Sequence, residues 1–343
     1  MPVVGKSLPR KDALDKIKGL AKYIDDYNFS DILYITTVRS PVAYGRLKGV
    51  IKSAAEKMPG VAGIITADQI PGKNAVPLVF EDEPFLAQDF VRFHGEPVAL
   101  VVAESYEEAL AAAAMVKLDI EPLKPILGIR ESIADGAPKI YGTDNVFSRY
   151  NVEKGNAEEA MKSAKHVFEK EYETPYQEHA YLETNGVIAV PGIEGTMTVY
   201  GTMQCPFYVH DAVAQAIGLE RNQVRITQTT TGGGFGGKED FPSVVAGQAA
   251  IVAQLFNRPA KLIYKREEDI IASSKRHPGL IKMKVGTDDN GKITAALIDY
   301  YVDGGAYSTL TPIVLWRGTV HALGPYECDH IHIRSWGVAT NKV

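Results

Sequence analysis

Residues 229–240 read Thr-Thr-Thr-Gly-Gly-Gly-Phe-Gly-Gly-Lys-Glu-Asp. Five glycines around one phenylalanine fit neither a regular helix nor a regular strand. Glycine is worth its entropic cost where the backbone needs positive φ or where something must approach the main chain closely. The run sits between a strand pattern, Val224–Thr229, and a long apolar helical pattern, Ser243–Phe256. A glycine turn opening onto a helix aims several main-chain N–H groups at one point. Such a nest suits phosphate, pyrophosphate or an oxo-anion.

Two familiar fingerprints match the run only formally. Gly232-x-Gly234-x-x-Gly237 has dinucleotide spacing, but the acidic residue expected about 20 residues later is not in place. The helix pattern ends at Asn257, Lys261–Tyr264 follows, and Glu267 and Glu268 lie beyond, in a charged cluster. Gly232-x4-Gly237-Lys238 resembles a phosphate loop, yet Glu239 stands where Ser or Thr would hold Mg²⁺. A glycine-rich turn without any ligand is the bland alternative.

The rest of the chain narrows the class. Its 343 residues suggest two or three domains. An apolar fraction of 45% excludes a wholly disordered chain. A net charge of −5, with no strongly basic half, gives no support to nucleic-acid binding. Two cysteines, Cys205 and Cys328, cannot build a disulfide framework, which fits a reducing compartment. No secretory signal and no run long enough to span a membrane are visible. The expectation is a cytoplasmic protein of α+β class.

Strand patterns are read at Asp31–Val38, Val61–Ile65, Val91–Phe93, Pro97–Ala103 and Val116–Ile120. Helices are read from Leu47 and from Ser105, where Ser105 and Glu108 form a capping box. The stretch 121–144, with three prolines and no period, reads as a linker. Beyond it come a capped helix from Asn156, an exposed strand Val167–Tyr172, and a hairpin of Val187–Val190 with Thr196–Tyr200. A helix Val209–Ile217 ends at Gly218. A second hairpin turns at Asp288–Gly291, and a strand covers Ile331–Arg334. The chain stops soon after that strand, which suggests a fragment or one subunit of a divided protein.

The glycine run is preceded by Gly201-Thr-Met-Gln204 and followed by Ser274-Lys-Arg-His-Pro278. Gln177–Thr184, Lys265–Asp269, Lys284–Gly286 and Asp303–Tyr307 occur in order around it, with Arg39-Ser-Pro41 and Gly95–Ala103 upstream. Together these resemble the molybdopterin-binding subunit of the xanthine dehydrogenase family of molybdenum hydroxylases, over residues 9–343. The resemblance implies a hammerhead-like α/β domain over residues 1–125. The first, incomplete part of a molybdopterin-binding domain would follow over residues 126–343.

By the same resemblance Gln204 and Phe235 stand beside the molybdenum centre, Gln204 through its amide and Phe235 through its main-chain N–H, with the Phe235 ring also near substrate. Gly233, Gly234 and Gly236 would let the pterin lie against backbone. Glu239 would bind a heterocyclic substrate, a purine or related N-heteroaromatic, because a carboxylate accepts ring N–H bonds. A first-turn Glu favoured by the helix dipole is its plain alternative. His179 with Glu178 and Glu183 reads as support for the site, Cys205 as a small buried hydrophobe, and His277 as structural. The pair His330-x-His332 has too few partners for a metal site.

The family's catalytic base, and an arginine that orients substrate, would lie in a half absent from this chain, so no catalytic residue is assigned here. That half would come from a second molybdopterin-binding chain or a missing C-terminal segment. The implied reaction is hydroxylation with water as the oxygen source, the pterin being in the plain or the cytosine dinucleotide form. Electrons would pass to iron–sulfur and FAD subunits, since two cysteines cannot hold a [2Fe–2S] cluster. An aldehyde oxidoreductase subunit or a non-catalytic assembly module are the alternatives.

Overall fold

The computed structural model describes residues 3–343. The strands are β1 (Leu33–Arg39), β2 (Gly45–Ile51), β3 (Val61–Thr66), β4 (Phe90–Val91), β5 (Pro97–Ala103), β6 (Lys117–Pro122), β7 (Val146–Lys154) and β8 (His166–Thr174). They continue with β9 (Gly186–Pro191), β10 (Met197–Gly201), β11 (Val224–Gln228), β12 (Ala260–Ile263), β13 (Gly279–Thr287), β14 (Ile293–Asp303) and β15 (Ile331–Val338). The helices are α1 (Ala13–Ile17), α2 (Tyr106–Ala113), α3 (Ile129–Ser132), α4 (Ala157–Ser163), α5 (Pro206–Ile217), α6 (Pro242–Phe256), α7 (Arg266–Ala272) and α8 (Thr311–His321). None of these is long and apolar enough to cross a membrane.

The strands form three sheets, of order β11-β10-β9-β12-β1-β5-β3, β7-β15-β14-β13-β8 and β4-β2-β6. The first sheet joins strands far apart in sequence: β1 runs parallel to β12, pairing Leu33 with Ala260 and Tyr34 with Lys261. β5 is the near-continuous apolar strand of the sequence, and all seven of its residues are buried. Leu100 and Val102 join the large core under α5 and α6, while Ala99 and Val101 pack toward α2. A strand covered on both faces needs apolar residues throughout. α6 is buried from Pro242 to Ala253, so the glycine run enters a helix held rigid along its length.

Both predicted hairpins form, β9 with β10 and β13 with β14. Ser105 and Asn156 cap α2 and α4 through the N–H of Glu108 and Glu159, and Gly218 closes α5 with φ of 66°. Three readings change. The helix expected from Leu47 is strand β2, whose Leu47 pairs with Ile120 of β6; a partner about seventy residues away overrides the local pattern. The expected linker is anchored: Ser132 Oγ donates to Ala339 O at 2.7 Å, and Ile126 N–H to Asn341 Oδ1 at 2.9 Å. Finally, α7 and α8 were missed. α8 is rich in β-branched residues, which favour strand locally, and packs against β7 and β15.

Candidate active site

The glycine run leaves β11 at the end of the first sheet and crosses the ends of β9 and β10. A buried ion pair anchors both its ends. Lys238, fully buried, donates from Nζ to Glu183 O at 2.7 Å and to Thr202 Oγ1 at 3.0 Å, with Glu183 Oε2 at 3.3 Å. Its ammonium also lies 4.5 Å from the centre of the Tyr181 ring. Glu183 Oε2 accepts the N–H of Gly232 at 2.7 Å and the hydroxyl of Thr202 at 2.5 Å. Burial lowers the Lys238 pKa, and Glu183 opposes that shift. Removing one partner of such a pair strands a charge in a dry site.

Gln204 fixes the middle of the run. Its Oε1 accepts the N–H groups of Gly236 at 3.0 Å and Lys238 at 3.2 Å, and its own N–H donates to Lys238 O at 2.7 Å. Gln204 is exposed, and among the described residues its Nε2 has no acceptor. The main-chain N–H groups of Gly233, Gly234 and Phe235 likewise have none, whereas Gly237 N–H turns inward to Gly234 O at 2.8 Å. Phe235 has φ of 52° and is 77% exposed. Left-handed backbone at a bulky residue is strained and persists only where its surroundings impose it.

The glycines serve different ends. A Cβ on Gly234 would stand 2.4 Å from Gln204 Oε1, and one on Gly233 would stand 3.0 Å from Tyr181 Cβ. These two make room for the protein's own side chains while keeping their N–H groups open. At Gly236, φ 94°, the nearest atom to a Cβ would be His179 Nε2 at 3.9 Å. Of the three glycines, Gly236 is the one where an added Cβ would meet open space.

A cleft of about 450 Å³ begins there, lined by His179, Gly236, Glu239, Arg276, His277 and Arg317 among others. Burial lowers the His179 pKa despite Glu178 beside it, favouring the neutral ring. Burial raises the Glu178 carboxyl, but its ion pair with Lys275 at 2.9 Å and the N–H of Ala180 together bring it below the ordinary range. Burial raises the Cys205 thiol, and Glu239 and Asp240 add to this, so it is no thiolate nucleophile. Burial likewise raises Asp240.

Gln204, Phe235, the three glycines and Glu239 therefore meet at one place, with His179 beside them. His330 and His332 lie on the five-stranded sheet instead. His330 Nδ1 accepts Asn156 N–H at 3.0 Å, and His332 Nε2 meets Asn151 Oδ1 at 2.8 Å. No cluster of three metal-ligating side chains occurs among the described residues. The cleft also holds cations that sequence reasoning passed over. Arg276 was visible in the Ser274–Pro278 stretch. Arg317 gave no signal because its helix was not recognised, and its guanidinium has no ion-pair partner among the described residues. Arg276 and Arg317 thus both line the cleft.

Comparison with known proteins bears on this geometry. The family described as "Molybdopterin cofactor-binding domain" matches residues 140–343. The family described as "Aldehyde oxidase and xanthine dehydrogenase, a/b hammerhead domain" matches residues 18–124. The chain is 34% identical to the nicotinate dehydrogenase large molybdopterin subunit of Eubacterium barkeri, over 99% of this chain and 80% of that one. It is 33% identical to a probable xanthine dehydrogenase subunit of Bacillus subtilis, over 97% of this chain and 44% of that one. It superimposes on the aldehyde oxidoreductase of Desulfovibrio desulfuricans with a TM-score of 0.92 at 29% identity, covering 98% of this chain and 39% of that one. The chain thus spans less than half the length of the last two. A hammerhead domain followed by a molybdopterin-binding domain, with an open N–H nest at its glycine run, places this chain in the xanthine dehydrogenase family of molybdenum hydroxylases.

Proposed function

We propose that this chain is the molybdopterin-binding subunit, or part of it, of an enzyme that hydroxylates a purine or a related N-heteroaromatic ring with water as the oxygen source. One observation carries the reading: the unpaired N–H groups of Gly233–Phe235 and the free Nε2 of Gln204 open beside a cleft that contains Glu239. Donors held by an independent network cost no reorganisation when a ligand arrives. These residues fit a molybdenum–pterin group. Gln204 Nε2 and Phe235 N–H would donate to its oxygen or sulfur ligands, and the space over Gly236 would admit it. When bound, that group supplies the two-electron oxidation. Glu239 accepts a ring N–H of the substrate and holds the ring in the cleft, while Phe235, exposed and next in sequence to the cleft-lining Gly236, would offer it an apolar face.

The general base comes from a second molybdopterin-binding chain or segment that completes the cradle. Electrons leave to iron–sulfur and FAD subunits in the cytoplasm. The pterin form, plain or cytosine dinucleotide, belongs to the same proposal.

The test is purification with co-eluting partner chains, molybdenum analysis, and turnover of hypoxanthine, nicotinate and benzaldehyde. Bound molybdenum and a preference for the ring-nitrogen substrates are expected. Glu239→Gln should lower kcat/KM for the preferred heterocycle roughly ten- to hundredfold, the worth of a charge-assisted hydrogen bond, with molybdenum content unchanged. No molybdenum in a full complex, or unaltered kinetics in the variant, defeats the reading.

A further inference from the structure

Thr309, Leu310, Val314 and Arg317 form one wall of the cleft. Thr309 has φ of 41°, which a β-branched residue keeps only under outside constraint. The constraint comes from the hammerhead domain. Tyr307 donates its hydroxyl to Glu96 Oε1, and Ser308 N–H donates to Asp82 Oδ2 at 2.9 Å. Glu96 is 1% and Tyr307 7% exposed, and neither Glu96 nor Asp82 lines the cleft. Just beyond the turn, the Ser308 carbonyl accepts Thr311 N–H at 2.8 Å, so whatever places Tyr307 and Ser308 also places the start of α8 and, through it, Arg317.

We propose that Glu96, with Asp82 beside it, is a positioning residue: through Tyr307 and Ser308 the hammerhead domain sets where Thr309, Leu310 and α8 stand in the cleft wall.

The surroundings of Glu96 give this clamp a direction. Its second oxygen accepts Arg92 N–H, but the Arg92 guanidinium turns to Ile140 O at 3.0 Å. Among the described residues no cation comes within ion-pair distance of the carboxyl. Facing it are Tyr307 on the turn and Arg92 on its own loop, with Glu83 close enough to feel its charge. Burial pushes the Glu96 carboxyl up to about 7, and its hydrogen bonds from Tyr307 and Arg92 recover only part of that. The closed clamp therefore favours the neutral acid, while an opened clamp hydrates the carboxyl and lets it ionise at its ordinary value. Rising pH favours opening.

The structural claim stands without the proposed reaction; only its kinetic readout rests on that reading. Hydrogen exchange of residues 303–317 is followed in the full chain from mildly acidic to just above neutral pH, corrected for intrinsic exchange rates. In the wild type the population of the open form should rise by up to about tenfold per pH unit between the ordinary value of 4.5 and the raised value of about 7, the limit for one linked proton, and level off above neutrality. Glu96→Gln should weaken that dependence, leaving the share of Asp82 and Glu83, which burial also raises, and Tyr307→Phe, which removes only a hydroxyl, should raise exchange at every pH. In the complete complex both variants should change KM with kcat and molybdenum content held. A Glu96→Gln profile identical to wild type overturns the proposal, as does a Tyr307→Phe variant with wild-type protection. A wild-type complex without molybdenum defeats the proposed function but leaves the exchange result to decide the clamp.

Discussion

The side-chain oxygen of Gln204 accepts two main-chain N–H groups of the glycine run, those of Gly236 and Lys238, at 3.0 and 3.2 Å. One face of the amide is thereby committed to shaping the loop, and its NH₂ is left pointing away from that network. A single residue both builds the nest and contributes a donor to it. Glutamate could not do both, since an ionised carboxylate only accepts.

Gln204→Ala should therefore cost stability as well as ligand binding. Two N–H groups lose their acceptor, which corresponds to about 1–3 kcal/mol for each group that stays dry. Denaturant unfolding of the chain should show the lower midpoint, and the complex should lose molybdenum. A variant with wild-type stability would mean that the loop holds its shape without this residue.

Gly234→Ala and Gly236→Ala should differ in kind. A methyl at Gly234 enters the space of the Gln204 amide, so the first variant should behave like a weaker Gln204→Ala and lose stability. A methyl at Gly236 meets nothing closer than 3.9 Å. Its φ of 94° costs strain, and the methyl intrudes on the open face, so molybdenum occupancy should fall further than stability does. Thermal unfolding beside metal analysis on the two variants separates the effects.

Lys238→Met should destabilise by about 3–5 kcal/mol, because Glu183 is left charged and unpaired beside Gly232 and Thr202. The double variant Lys238→Met with Glu183→Gln should recover part of the loss. Chemical denaturation of the three variants closes this cycle, and strictly additive losses would argue against a coupled pair.

The stability of the chain should fall as pH rises toward neutrality, in part through Glu96. Its folded value is raised to about 7 from an ordinary 4.5. The native state then binds the extra proton between those values, and the contribution is complete below the lower one and lost through the upper one. The size is at most roughly 3 kcal/mol at 1.36 kcal/mol per unit. Urea unfolding of wild type and Glu96→Gln between these two values measures this share, and the pH dependence should be correspondingly shallower in the variant.

The glycine run was legible because glycines that break every regular pattern declare themselves. Gln204 and Glu239, within about forty residues of one another in sequence, were singled out by the family resemblance rather than by a local pattern. His179 was noticed for its neighbours, although its place beside Gly236 depends on folding. Arg317 was invisible, because α8 is written in β-branched residues that favour strand until β7 and β15 hold them as helix.

By itself the sequence determined the α+β class, both hairpins, the capped helices α2 and α4, the long buried helix α6, and the glycine run. Each of these depends on residues close along the chain. Tertiary structure alone decided that β1 lies against β12, that the stretch 121–144 is pinned rather than free, and that Glu96 reaches Tyr307 across 211 positions. It also decided that the space beside Gly234 belongs to Gln204. Such pairings are set by which faces find apolar cover and which donors find acceptors once the whole chain is packed, and no local pattern encodes them.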